Sequence, residues 1–452
     1  MNALTKIRRL IVVAAAAMIA PVCLASFGDD FDLILNYVAY KVDNNTQTAA
    51  VVYRDYSRDE DYLYGRIQLP NEIVIPDTVY YLGKAYAVTS VEAKAFDCNN
   101  IFIWYLDHVT LPHTLQSIGE AAFRKQWNMD VDFPAENNIG RVDADAFTGT
   151  AWFQAQPDGL IYIGHVAYQW KGDMAPQTTV ALRESTTSVT AGLFNGQDNL
   201  KGIVVPKSLT TNQSWTSVVT ECRSLSKIAV EAENPTIDSR DNCNAIIETA
   251  TDKLLLGCNG TKIPGSVKVI GVDAFQNMSG VPTLRFPDSV TELQYGAISN
   301  TRGLNTLIFG KGLAKLAQNA INCYSLKSIY LSSRRPPTAV TNSLYVDYDN
   351  CVLYVPEGSE EIYWANTIWN RFVTIRTWNP DAENDETTPG DINVDGAVDV
   401  EDLNLMVNHM LGNTSLSDLT LADFDGNGTI DIDDINAIIN VMLGKGNAPV
   451  DE

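Results

Sequence analysis

The chain has 452 residues, 45% of them hydrophobic and 19% charged, enough for two or three domains and a large buried core. Its formal net charge is −23, and residues 381–452 hold 17 Asp plus Glu against one Lys, so about −16 of that charge lies in the last sixth. No basic patch is available to neutralise phosphates, which excludes nucleic acid as an expected partner.

At the N-terminus, Lys6, Arg8 and Arg9 precede an apolar stretch over 10–20 and then Cys23-Leu24-Ala25. Basic residues, a short apolar run and small residues at −3 and −1 describe an export signal. Residues 1–25 are read as a signal peptide, with Ser26 the first mature residue. The apolar run is too short for a membrane span, and no other segment qualifies. Cys23 as a lipoprotein cysteine is the other reading. Ala20-Pro21-Val22 offers neither Leu at −3 nor a small residue at −1 of that cysteine, so soluble secretion is preferred. Without Cys23 the cysteines are Cys98, Cys222, Cys243, Cys258, Cys323 and Cys351. Export permits disulfides, yet none of the six stands in a CxxC pair, and buried free thiols are the preferred reading.

Residues 26–84 read as an N-terminal β cap, with apolar runs at 37–42 and 49–53 around the turn Asp43-Asn44-Asn45. From 85 to 335 a six-residue phrase recurs: an apolar residue, Ala or Leu four positions on, then a large apolar anchor. It reads VEAKAF at 91–96, IGEAAF at 118–123, VDADAF at 142–147, VTAGLF at 189–194 and IGVDAF at 270–275. Weaker copies are LQYGAI at 293–298 and LAQNAI at 316–321, and the anchors Phe275, Ile298 and Ile321 lie 23 residues apart. Strand-like runs ending in Pro or Gly follow the anchors, such as Val109-Thr110-Leu111-Pro112 and Leu307-Ile308-Phe309-Gly310. A repeat of strand, turn and anchor at this spacing is the signature of a solenoid. No unit covers its own apolar face, so the units stack into one core.

The rhythm breaks at 151–180 and 226–262. In the first break, Ile161-Tyr162-Ile163 and Val166-Ala167-Tyr168-Gln169-Trp170 flank Gly164-His165 and predict a hairpin insertion. After Arg334-Arg335-Pro336-Pro337 the rhythm stops, and 336–378 reads as a C-terminal cap with strands at 352–355 and 372–375. Residues 379–390 are a polar, acidic linker. The repeated phrases resemble the BspA-like leucine-rich repeat family of bacterial surface proteins over most of 73–335. That resemblance implies a leucine-rich-repeat solenoid and a recognition or adhesion role.

The tail carries one calcium-loop pattern twice. Asp391, Asn393, Asp395, Gly396, Asp399 and Asp402 match Asp423, Asp425, Asn427, Gly428, Asp431 and Asp434, 32 residues on. Side-chain oxygens at loop positions 1, 3, 5, 9 and 12, with Gly at 6, suit a hard cation with six to eight oxygen ligands. Position 7 supplies a backbone carbonyl, here from Ala397 or Thr429. Apolar residues then recur at helical spacing: Leu403, Met406, Val407, Met410 and Leu411, and Ile435, Ile438, Ile439, Met442 and Leu443. Gly412 and Gly444 stand where each helix stops. Thr387-Thr388-Pro389-Gly390 leaves no room for a helix entering the first loop. Loop followed by a single helix, written twice, resembles a type I dockerin domain over roughly 388–446. The resemblance implies two calcium ions in a module at 391–446 and a cohesin-like partner. It places that partner against loop positions 10 and 11, which are Val400 and Glu401 in one copy and Ile432 and Asp433 in the other.

The expected fold class is therefore β-rich α+β: a repeat solenoid with β caps, plus a small all-α calcium-binding dockerin-like domain. No catalytic residue is assigned. His108, His113, His165 and His409 stand in unrelated contexts, and no nucleophile elbow, HExxH or phosphate-cradling loop occurs. Acidic pairs are frequent, so spacing alone leaves a glycosidase dyad open. Trp104, Tyr105, Trp152, Trp170 and Trp215 are offered either as sugar- or protein-contacting aromatics or as core. The chain is expected to be a non-enzymatic, secreted or cell-surface recognition or adhesion protein. Its solenoid would bind a protein or glycan, and its dockerin would attach it to a cohesin-bearing scaffold. The alternative is an accessory component of a cellulosome-like, polysaccharide-degrading complex.

Overall fold

The computed structural model describes residues 23–24, 31–55, 69–98, 104–210, 214–380, 390–392, 398–414, 416, 419, 421–424 and 429–443. The expected export signal lies outside these residues except for Cys23–Leu24, a short strand paired antiparallel with Leu33–Leu35. The chain folds as two compact units.

The first unit draws on Met1–Asp173, Arg183–Phe194 and Thr211–Val218. Val38–Asp43 and Thr48–Val52 form the expected hairpin. Asn45 N–H donates to Asp43 Oδ1 at 2.8 Å, the local bond that makes Asp a turn residue. From there the pairing becomes parallel. Thr48–Val52 pairs with Lys84–Val91, that strand with Ser117–Ile118, and that with Arg141–Val142. Glu72–Val74, His108–Thr110 and Asp130–Asp132 form a second parallel sheet. Side chains of both sheets join one core, in which Phe96, Phe123 and Phe147 stack at 5.2 and 5.3 Å. The predicted hairpin of Gly159–Ile163 and Val166–Lys171 forms, and its second strand pairs in parallel with Ser188–Val189.

The repeated phrase is a corner of the coil. Its first residue pairs in a short strand and its last two fill the core. Its fourth residue lies in the left-handed region: φ is 60° at Lys94, 54° at Ala121, 59° at Asp145, 54° at Asp273, 63° at Gly296 and 60° at Asn319. That kink aims the following N–H groups at the next coil. Phe96 N–H donates to Ala122 O at 2.7 Å, and Phe123 N–H donates to Ala146 O at 2.8 Å. The left-handed conformation costs an ordinary residue about 1–2 kcal/mol, which explains the recurrence of Gly, Asn and Asp there. Lys94 is exposed and has no such advantage. Lys94→Gly should therefore stabilise the first unit by about 0.5–1 kcal/mol, after glycine's larger unfolded-state entropy is subtracted. The check is a higher urea midpoint at unchanged slope. Gly119 answers to a different constraint. A Cβ there would stand 2.7 Å from the carbonyl carbon of Glu92 and 2.9 Å from Cα of Ala93, because neighbouring coils touch backbone to backbone.

The second unit draws on Met174–Leu182, Asn195–Thr210 and Val219–Glu452. Thr178–Ala181, Leu200–Val205 and Lys227–Val230 form one parallel sheet. Three parallel stacks follow. The first contains Lys253–Leu256, Val269–Ile270, Glu292–Leu293 and Lys315–Leu316. The second contains Phe275–Gln276, Ile298–Ser299, Ile321–Asn322 and Leu344–Tyr345. The third contains Thr283–Phe286, Thr306–Phe309, Ser328–Leu331, Val352–Pro356 and Thr374–Trp378. Phe275, Leu307, Phe309, Tyr363, Trp369 and Phe372 share its core. The fold is a β-solenoid with few helices, as the repeat predicts.

One reading of the repeat is narrowed and another needs correction. The break at 226–262 is real but shorter than expected. Lys227–Val230 still continues a parallel sheet, and the antiparallel meander Ile237–Asp238, Ile246–Glu248 and Lys253–Leu256 then interrupts the parallel order until it resumes at Val269. The rhythm does not stop after 335. Leu344 lies 23 residues beyond Ile321 and pairs with it, and parallel pairing runs on to Thr374–Trp378. The phrase is masked in the sequence because Ser343 stands where Ala is expected. Its buried hydroxyl donates to Leu316 O at 3.2 Å and accepts from Val340 N–H at 2.9 Å, so a polar residue fits an apolar slot.

Of the five aromatics offered as surface contacts, Trp215 is buried, Trp104, Trp152 and Trp170 are half-buried, and Tyr105 is exposed. The six cysteines are free and buried. Burial pushes the Cys98, Cys222 and Cys351 thiols up to about 12 and that of Cys258 up to about 11. These four stay protonated and unreactive at neutral pH.

Candidate metal centre and docking surface

The tail folds as predicted into two helices, Val400–Met410 and Ile432–Met442. Each begins with the same capping arrangement. Asp399 Oδ1 accepts from Glu401 N–H at 2.8 Å, and Asp431 Oδ1 accepts from Asp433 N–H at 2.9 Å. One turn on, Asp402 Oδ2 accepts from Asp399 N–H at 2.9 Å, and Asp434 Oδ2 repeats this with Asp431 at 2.9 Å. These are reciprocal capping boxes, with Asp in the usual Glu position.

The other oxygen of each aspartate closes the loop. Asp402 Oδ1 accepts from Ile392 N–H at 2.7 Å, and Asp434 Oδ1 accepts from Phe424 N–H at 2.7 Å. Loop position 12 is thereby tied to the residue after position 1, which brings Asp391 towards Asp402 and Asp423 towards Asp434. Sequence reasoning named these aspartates as metal ligands and missed this second task. The Asp-x-x-Asp spacing of a capping box, with Asp399 ahead of Asp402, was the available signal.

The expected ligands Asn393, Asp395, Ala397, Asp425 and Asn427 lie outside the described residues, whereas Asp391, Asp399, Asp402, Asp423, Thr429, Asp431 and Asp434 lie within them. Among the described residues no three His, Cys, Asp or Glu side chains converge as a metal site. The donors that are described nevertheless suit a hard cation. Asp402 and Asp434 are 0% exposed and Asp391 is 4% exposed, while residues 391–443 contain no Lys or Arg. Burying carboxylates without a countercharge costs several kcal/mol. A divalent ion held by oxygen ligands removes that cost.

The helices sort their apolar residues onto two faces. Met406, Ile435 and Ile438 are buried with Ala422, and Leu403, Leu416, Phe424 and Ile439 pack around them. Gly390, grouped by sequence with the linker, belongs to this packing. Its N–H donates to Leu421 O at 2.8 Å, and a Cβ there would meet Val398, Phe424 and Ile438 at 2.9–3.3 Å. The other face is open. Val400 and Ile432, equivalent residues at the starts of the two helices, are 57% and 60% exposed, and Val407, Met410, Leu411, Met442 and Leu443 are exposed as well. Glu401 and Asp433 stand exposed beside them.

The histidines do not assemble into a site. His108 Nε2 lies 3.0 Å from Asp132 Oδ2, His113 lies beside Asp77, and His165 Nδ1 lies 3.0 Å from Ser185 O. His409 Nδ1 accepts from Leu416 N–H at 3.2 Å, so it braces the turn after its helix.

The model of the BspA type leucine-rich repeat region matches in six copies, over 82–153, 161–248 and 255–343. The chain belongs to that family. The dockerin type I domain model matches 389–443. No curated protein matches the chain. Among solved structures it is similar to the pneumococcal vaccine antigen PcpA, at 14% identity and a TM-score of 0.38, covering 80% of this chain and 99% of that one. A leucine-rich repeat protein from Eubacterium ventriosum matches at 16% identity and 0.39, covering 76% and 82%. A leucine rich cell surface protein from Faecalibacterium prausnitzii matches at 15% and 0.35, covering 80% and 96%. Leucine-rich repeat and dockerin families are non-catalytic, and proteins carrying them are typically extracellular or at the cell surface. Dockerin type I domains bind calcium and cohesins. Among the described residues no helix is long and apolar enough to cross a membrane.

Proposed function

We propose that this protein is an exported, non-catalytic recognition or adhesion protein. Its solenoid binds a protein or glycan, and its C-terminal module, loaded with two calcium ions, attaches it to a cohesin-bearing scaffold. The ligands of the first ion are Asp391, Asn393, Asp395, Asp399, Asp402 and the carbonyl of Ala397. Those of the second are Asp423, Asp425, Asn427, Asp431, Asp434 and the carbonyl of Thr429.

The observation that carries the reading is the matched exposure of Val400 and Ile432. Two equivalent apolar side chains left in water at the helix starts, each beside a carboxylate, suit a protein interface with a buried anchor and a polar rim. Metal binding fixes the helix starts that present them.

Titration calorimetry of the calcium-loaded chain against a panel of purified cohesin domains tests the proposal. At least one domain should bind. Val400→Asp combined with Ile432→Asp should weaken it by about 30-fold or more, the loss expected for a buried hot spot. Helical circular dichroism and calcium uptake should stay unchanged. Undiminished binding by the double variant, or no binding by any cohesin domain, defeats the reading.

A further inference from the structure

Thr306–Phe309 is buried at all four of its positions. Alternate residues of a strand face opposite sides, and Leu307 and Phe309 point into the solenoid core. Thr306 and Ile308 therefore face outward, yet they are only 5% and 2% exposed. The outward row of that sheet reads Arg285, Ile308, Tyr330, Tyr354 and Arg376 in register. The Tyr330 and Tyr354 rings stack at 4.2 Å, and Trp378 meets Tyr330 edge-on at 5.1 Å. A cavity of about 800 Å³ opens on this face, lined by Arg285, Ile308 and Trp378 from the sheet and by Leu405, Leu416 and Leu421 from the helical module.

We propose that the outer face of the sheet formed by Thr283–Phe286, Thr306–Phe309, Ser328–Leu331, Val352–Pro356 and Thr374–Trp378 is a docking surface whose occupant is this chain's own C-terminal module. Charge supports the pairing. Residues 391–443 hold eleven Asp or Glu and no Lys or Arg, and the face offers Arg285 and Arg376. The contact uses Leu405, Leu416 and Leu421, while Val400 and Ile432 line no part of the cavity and remain exposed. On the helix, Leu405 lies five residues from Val400, roughly 140° around the axis. Docking thus holds the module in place and leaves its helix starts free. The inference stands without any cohesin partner, because it concerns two parts of one chain.

Small-angle scattering of the full chain in calcium, beside the variants Ile308→Asp and Arg285→Glu, tests the contact. Both substitutions fall on the outward row, and the melting transition of each variant checks that the solenoid is intact. The unaltered chain should give one compact profile. Each variant should lengthen the maximum dimension by up to about 30 Å, the reach of the nine residues 381–389 when extended. An unaltered chain already as long as its variants overturns the proposal, as do folded variants that stay compact.

Discussion

Asp402→Ala combined with Asp434→Ala should abolish the helical signal of the C-terminal module at saturating calcium while leaving the solenoid's melting transition in place. Each side chain accepts two backbone N–H groups, one from its own capping box and one from the start of its loop. Charge-assisted bonds of this kind contribute about 1.5–3 kcal/mol each, so each truncation costs about 3–6 kcal/mol before any loss of metal is counted. A domain the size of residues 391–443 has only about 3–8 kcal/mol in total. One substitution should bring it to the margin and two should unfold it. Chelation of calcium should give the same loss by a separate route, because the buried carboxylates are then left without a countercharge. Asp402→Asn keeps an acceptor and removes the charge. It should weaken calcium binding more than it disturbs the helix start. Hydrogen exchange of 398–443 in the full chain reads all of these. Protected helices in the doubly substituted chain would show that the carboxylates do not organise the module.

Phe123→Ala should destabilise the first unit by about 3–5 kcal/mol, the cost of emptying a fully buried aromatic site. Phe123 is 0% exposed and stands between Phe96 and Phe147, at 5.2 and 5.3 Å with nearly parallel rings. Its removal breaks two ring contacts as well as leaving a hole. The position matters because a solenoid's stability is a sum of coil and nearest-neighbour terms, and a middle coil has a neighbour on each side. Phe123→Leu keeps most of the volume and should cost about 1.5 kcal/mol or less. Calorimetry should show the transition of the first unit falling in the order wild type, Leu, Ala. An Ala variant within about 1 kcal/mol of wild type would mean that the coils close over the gap.

Much of this molecule is written locally. The anchor spacing, the Ala-Phe ending and the Pro or Gly after each strand run are properties of one coil, so they survive in a linear reading. The two loops are equally legible, since a cation's ligands must come at fixed offsets along a short segment. The missed coil at Leu344 shows the limit. Ser343 suits its slot because its hydroxyl is satisfied there, by Leu316 O of the preceding coil and by Val340 N–H of its own. The meander at 237–256 is different: the break in spacing was legible, but that it is filled by antiparallel strands, the last of which pairs in parallel with Val269, was not.

The sequence by itself determined the architecture, the repeat phrase and the chemistry of the tail, because each is encoded by neighbours in the chain. Only the tertiary structure decided which residue of the phrase adopts the left-handed kink, since that choice is set by the carbonyls of the adjacent coil. It also decided that Asp402 and Asp434 lock their loops as well as offering oxygen to a metal, and that Val400 and Ile432 stay in water while Met406 and Ile438 do not. Periodicity places these side chains on a helix. Which side of the helix is covered depends on what folds against it.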